Sequence, residues 1–149
     1  MKEAVVSDST CLIGLERIGK LNILPALFDP IMIPPEVERE FGSVFSWLQI
    51  ENLTSGVLVA ALRMVVDAGE AEAIALASEK SCLLISDDKQ ARSAAKRLGV
   101  AVIETVGVLV RAKQSGVIST LKPILDDLEL NNFFISRALR EEALKLVGE

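Results

Sequence analysis

The chain has 149 residues, half of them hydrophobic, and a mean hydropathy of +0.40, enough apolar surface to bury the core of one domain over residues 1–149 and to exclude a disordered chain. A net charge of −5 argues against nucleic-acid binding through a broad basic face; such a partner would need a bound cation or a local patch such as Lys89, Arg92, Lys96 and Arg97. With no histidine and no tyrosine, serine–histidine triads and imidazole bases are excluded.

The apolar residues are mostly Val, Ile, Leu and Ala, with 4% aromatics, a mix suited to buried parallel strands wrapped by helices. In chain order, Ala4–Val6 reads as a short strand. Asp8, Ser9 and Thr10 are helix-capping types, and Cys11–Ile18 continues as a helix with Leu12, Leu15 and Ile18 on its apolar side, ended by Gly19. Leu21–Phe28 reads as a second short helix. Ile31–Ile33 is a strand stopped by Pro34-Pro35, and proline in a first turn starts a helix over Glu36–Phe41. Alternation over Trp47–Leu53 suggests an exposed or edge strand. Val57–Val66 is helical, Asp67-Ala68-Gly69 breaks it, and Ala-rich Glu70–Glu79 is a strong helix. Cys82–Ile85 is a central strand and Lys89–Leu98 a helix ended by Gly99. Val100–Ile103 is another buried strand and Thr105–Gln114 a helix ended by Gly116. Ser119 is a cap for a helix over Thr120–Leu128, and Ser136–Val147 forms a last amphipathic helix. Strands alternating with helices give a parallel α/β sheet. The turn Asn131-Asn132-Phe133-Phe134 either packs its phenylalanines into the core or offers a self-association surface.

Cys11 and Cys82 each adjoin an apolar run and read as reduced, buried thiols. Glu3 and Asp8 interrupt any signal-peptide core, and Arg63 breaks the longest apolar stretch, so a cytoplasmic protein without a membrane span is expected. The chain contains no Gly-x-Gly-x-x-Gly after its first strand, no Walker loop and no Gly-x-Ser-x-Gly elbow.

Four acidic positions stand out. Asp8 and the pair Asp87–Asp88 close buried strands, where open α/β folds place their chemistry. Glu40 and Glu70 fall on helices between them. Each has an ordinary explanation alone: Asp8 and Asp87 or Asp88 as helix caps, Glu70 as a first-turn acid facing the helix dipole, Glu40 as a solvated glutamate. Together they would repel one another unless a cation neutralised them, and an all-oxygen set suits Mg²⁺ or Mn²⁺. An ion so held supports phosphodiester hydrolysis by an activated water.

Four stretches carry a family likeness: Val5-Val6-Ser7-Asp8-Ser9-Thr10-Cys11-Leu12-Ile13, Ile33-Pro34-Pro35-Glu36-Val37-Glu38-Arg39-Glu40-Phe41, Gly69-Glu70-Ala71-Glu72-Ala73-Ile74-Ala75-Leu76-Ala77, and Leu84-Ile85-Ser86-Asp87-Asp88-Lys89-Gln90-Ala91-Arg92. In order and spacing the chain resembles PIN-domain proteins, the group that includes toxin nucleases of toxin–antitoxin pairs, and most of all a branch of small prokaryotic members. The resemblance implies a PIN-like fold, a central parallel sheet with helices on both faces. It also implies a divalent-metal-dependent endoribonuclease with Asp8, Glu40, Glu70 and Asp88 as catalytic metal-site acids. Asp88 is preferred over Asp87 because the family's acid follows a Ser or Thr by two residues, here Ser86; Asp87 is then a further ligand or an outer acceptor. Ser9, Thr10, Ser86, Lys89 and Arg92 are the expected substrate contacts. RNA and an antitoxin protein are the implied partners. The chain departs from the pattern at Gln90, where many relatives carry a further acid, and at Glu70, where aspartate is more usual.

Two other readings stay open: a non-catalytic binding module of the same fold, suggested by the acidic charge and Gln90, and a phosphoacceptor signalling domain, suggested by Asp-Asp after a strand. The apolar residues of the last third lead to the expectation of a symmetric homodimer.

Overall fold

A computed structural model describes residues 1–149. Its strands are β1 (Glu3–Ser7), β2 (Phe28–Ile33), β3 (Leu48–Ile50), β4 (Leu83–Ile85) and β5 (Val102–Ile103). Its helices are α1 (Ser9–Arg17), α2 (Ile23–Leu27), α3 (Pro35–Phe41), α4 (Gly56–Leu62), α5 (Ala68–Lys80), α6 (Lys89–Arg97), α7 (Thr105–Gln114), α8 (Lys122–Leu130) and α9 (Arg137–Leu146). The strands form one wholly parallel sheet in the order β3-β2-β1-β4-β5. Parallel neighbours need crossovers, and the helices supply them.

The chemistry of the residues explains the layering. Val5, Val6 and Leu83–Ile85 are buried on both sides of the sheet, hence their unbroken apolar runs. Helix α5 lies against β1 and β4. Its Ala71, Ala73, Ala75 and Ala77 are buried, and such short side chains let the helix backbone come close to the sheet. One contiguous core of 40 buried apolar residues joins these layers.

The expected α/β alternation and parallel sheet are present, and several boundaries move. Strand β2 begins at Phe28, inside the stretch expected to be helical, so α2 is short. Pairing with β1 slips by one residue between Phe28 and Ile31, which leaves Pro30 in a bulge, a place where its missing N–H breaks no ladder bond. Strand β3 is at the sheet edge, as its alternation suggested. Asp67 does not merely break the chain before α5: its side chain accepts the Glu70 N–H at 2.9 Å and caps the helix. Ser119 does not cap α8, which starts at Lys122 with Leu121 before it and no local side-chain cap. Glu149 takes that role from the far end of the chain, its carboxylate accepting the Leu121 N–H at 2.6 Å, the Lys122 N–H at 3.0 Å and the Lys113 ammonium at 3.1 Å. The Asn131–Phe134 turn separates its two rings. Phe133 packs on Gly14 of α1, and Phe134 stands in solvent. No helix is long and apolar enough to cross a membrane.

Ile74 sits fully buried at the centre of α5. Ile74→Ala is expected to cost about 2–5 kcal/mol of unfolding free energy, read as a lower urea midpoint with an unchanged slope. A loss below about 0.5 kcal/mol would contradict this account of the core.

Candidate active site

Strand order reverses between β1 and β4, and open α/β sheets take ligands beyond the carboxyl ends of the strands at such a point. Ser7 of β1 pairs with Ile85 of β4, so the residues just after them meet. The Asp8 N–H donates to the Ile85 carbonyl at 3.0 Å. The Asp8 carboxylate then accepts the Cys11 N–H at 2.9 Å on Oδ1, capping α1, and the Asp87 N–H at 3.0 Å on Oδ2. Asp8 therefore clamps the two strand ends together. It is only 6% exposed. Burial and the neighbouring Asp87 push its pKa up to about 8, against the opposing pull of the two amides, with Glu70 adding a further rise.

Beside this clamp, Asp8, Ser9 and Thr10 share a cleft of about 170 Å³ with Glu40 of α3 and with Asp67, Gly69 and Glu70 at the start of α5. No lysine or arginine lines it. The Glu40 carboxylate lies directly over Gly69, where any Cβ would overlap it. Partial burial and Asp67 raise the Glu40 pKa, while a hydrogen bond with the Ser9 side chain pulls it down. Glu70 is pushed up to about 7 by partial burial, then by the charges of Asp67 and Asp88; the Asp67 N–H opposes, and a hydrogen bond shared with the Asp88 side chain adds to the rise. Asp88 also caps α6, accepting the Ala91 N–H at 2.8 Å. The capping and functional readings of Asp8 and Asp88 are compatible: Asp88 caps with one oxygen, and Asp8, whose two oxygens each take one amide, keeps a second lone pair on each.

Asp87 behaves differently. Its carboxylate accepts the Thr105 N–H at 2.9 Å and the Thr105 hydroxyl at 2.5 Å, whereas Asp88 sits beside Glu70; neither of the two lines the acidic cleft itself. Burial raises its pKa, against those two hydrogen bonds. Of the two roles expected for Asp87, a further ligand or an outer acceptor, its contacts fit the second: Thr105 engages both of its oxygens, and its backbone N–H holds Asp8. Ser86 is 2% exposed, its hydroxyl has no hydrogen-bond partner, and its carbonyl accepts from Arg92 Nη1 at 3.2 Å. Arg92 is drawn further inward by Glu104 at 3.5 Å. Of these two expected substrate contacts, Arg92 is engaged within the protein, and the Ser86 hydroxyl is buried and unpaired. Lys89 is exposed at the start of α6 without an ion-pair partner.

Two participants escaped the sequence reading. Asp67 enters the cleft, and its signal was Asp67-x-x-Glu70, an acid-capped helix start with a glutamate three residues on. Thr105 carried no local signal, because its partner lies 18 residues away.

The donors are carboxylates and hydroxyls, the set a hard divalent cation takes. None of Asp8, Glu40, Asp67, Glu70, Asp87 or Asp88 is within ion-pair distance of a lysine or arginine. In kind and in charge the residues fit such an ion. In spacing they fall short of a ready shell: no three acidic side chains are placed so as to hold a metal, which corrects the expectation that all the acids converge.

Residues 4–149 match a family model described as a PIN domain (DUF3368). No curated protein matches the chain. Among solved structures it is similar to a PilT N-terminus domain protein from the hyperthermophilic archaeon Sulfolobus solfataricus P2, at 19% identity, covering 73% of this chain and 92% of that chain, with a TM-score of 0.48.

Asp8 and Glu70 hold protons more tightly folded than unfolded, so the folded protein is penalised as they ionise. Stability in the presence of a chelator should fall as pH rises from about 5.5 to about 8.5, and the chain has no histidine to titrate in that window. Glu70→Gln should melt higher than the parent at about pH 8 and flatten the decline. Thermal melts that are level or rise across the window, or a variant that melts lower than the parent at the alkaline end, would contradict the mutual repulsion described.

Proposed function

The chain belongs to the PIN-domain family, and on that premise we propose that it is an endoribonuclease hydrolysing RNA phosphodiester bonds with a Mg²⁺ or Mn²⁺ ion. One observation carries the reading: at the switch point of the sheet, three separate elements deliver Asp8, Glu40 and Glu70 to one cleft that no basic residue lines and in which none of them is ion-paired; Arg39 acts on Glu40 only from outside it. Uncompensated acids raise one another's pKa and cost stability, an arrangement that clusters at functional sites.

Asp8, Glu40 and Glu70, which share the cleft without forming a ready three-acid shell, are the residues that would hold the ion, with Asp88 beside Glu70. A bound ion supplies a Lewis acid for a phosphate oxygen and a water acidified enough to attack at neutral pH. The protein's own part is positioning. Asp8 is fixed by two amides, so its orientation is set before any ligand arrives. Asp87, held by Thr105, keeps the amide that fixes Asp8. Ser9 steadies Glu40, and Thr10 brings a second hydroxyl to the cleft, able to donate to a phosphate oxygen. Glu70 gives up its proton near neutrality, so the affinity of the cleft for a cation rises through that range.

The test is cleavage of labelled single-stranded RNA by purified protein with Mn²⁺. The parent should cut, and Asp8→Asn should lose the activity. Gly69→Ala should displace the Glu40 carboxylate and reduce the rate about 10–100-fold while leaving the circular dichroism unchanged. Cleavage equally strong in Asp8→Asn would assign the activity to a contaminant.

The absence of three converging acids favours one alternative, a PIN-fold module that binds a protein without cutting RNA. It requires no thermal shift with Mn²⁺, no cleavage, and a stable protein complex. The role as a toxin with an antitoxin partner belongs to the same proposal as the nuclease; a small adjacent gene for a DNA-binding protein would support it.

A further inference from the structure

Next to the acidic cleft lies a second depression of about 330 Å³, between α1 and the turn that joins α8 to α9. It shares Thr10 with the cleft and reaches Asp87, so a polymer lying across one lies across the other. On its far side are Arg17, Asn132, Phe133 and Phe134. These residues have no part in the acid chemistry described above.

Each feature suits one occupant. Phe134 is 87% exposed, the most exposed aromatic in the chain, and a flat ring held open to solvent is a platform for another flat ring. Its neighbour Phe133 is packed on Gly14, which fixes the base of the turn. Asn132 has a backbone φ of 66° and makes no side-chain hydrogen bond, so its amide is free to pair with the edge of a base. Arg17 makes no ion pair, although the chain carries 21 acids. A free guanidinium beside an aromatic platform matches a phosphate joined to a stacked base. Ile13 and Phe133 add apolar surface to the floor of the groove, and what favours a nucleic acid over a protein here is the free guanidinium and free amide set beside the exposed ring.

We propose that this groove is a stacking subsite for an unpaired base of single-stranded RNA, with Phe134 as the platform and Arg17 holding the adjoining phosphate. The subsite rests on the nuclease reading for its substrate class and gives that reading a preference: unpaired RNA is engaged, and duplex RNA, whose bases are already stacked, is not.

The experiment is fluorescence anisotropy with a labelled single-stranded oligoribonucleotide and its duplex, in chelator so that no cleavage intervenes. Phe134→Ala, at an exposed position, should weaken single-strand binding about 10-fold or more and leave duplex binding as it was. Phe134→Trp should restore it, which a merely structural role for the side chain would not do. Arg17→Ala should weaken single-strand binding and flatten its salt dependence. Unchanged single-strand affinity in Phe134→Ala overturns the subsite, as does equal weakening for both RNAs. So does a parent protein that binds no RNA, or a Phe134→Ala variant that only converts a dimer to a monomer in ultracentrifugation. Mn²⁺-dependent cleavage by the parent separates the two readings. If the parent cuts RNA and Phe134→Ala binds normally, the subsite fails alone. Binding that depends on Phe134, without any cleavage, leaves the subsite and removes the nuclease.

Discussion

A buried carboxylate held by two backbone amides organises this molecule. Asp8 joins the end of β1 to the start of α1 through the Cys11 N–H, and to the end of β4 through the Asp87 N–H. Those two strands are the central pair across which the sheet changes direction. Two neutral amides do not fully replace the water lost on burial, and a second acid stands alongside, so Asp8 retains its proton to about pH 8. The clamp that closes the fold is also the source of unrelieved charge.

The surrounding elements preserve that tension. Thr105, just past the end of β5 at the start of α7, occupies the Asp87 carboxylate, which keeps the Asp87 backbone turned toward Asp8. Arg92 is held by the Ser86 carbonyl and Glu104, so its charge reaches Asp87 but it pairs with none of the cleft acids. Asp67 caps α5 and at the same time repels Glu40 and Glu70. Other charged side chains, such as Arg140 with Asp126 and Glu129, find partners at the surface, where pairing is easy and contributes little. Leaving this crowded group of acids without an ion-paired cation sacrifices stability at neutral pH, as functional sites commonly do.

Much of this was legible in the chain because the signals were local. Apolar runs marked β1, β2 and β4, and an acid just after a buried strand marked Asp8 and Asp87–Asp88. Proline at the start of α3 and the alanine run of α5 set the helices that carry Glu40 and Glu70. What local reading missed depended on distance along the chain. The cap of α8 comes from Glu149, 28 residues from Leu121. Thr105 takes Asp87 out of the cleft from 18 residues away. The bulge at Pro30 is a property of pairing between strands and not of β2 alone. Within the site, spacing named the acids but could not tell which way adjacent Asp87 and Asp88 would turn, because that depends on whether α7 offers one of them a hydroxyl.

The central claim is that the cleft trades protons for a divalent cation. Titration calorimetry with Mn²⁺ near pH 7, repeated in two buffers of different ionisation enthalpy, counts the protons released per ion bound. The account predicts saturable binding that expels about one proton or more, with both the affinity and the proton count reduced in Glu70→Gln. Binding with no proton release, or no binding at all, would contradict it.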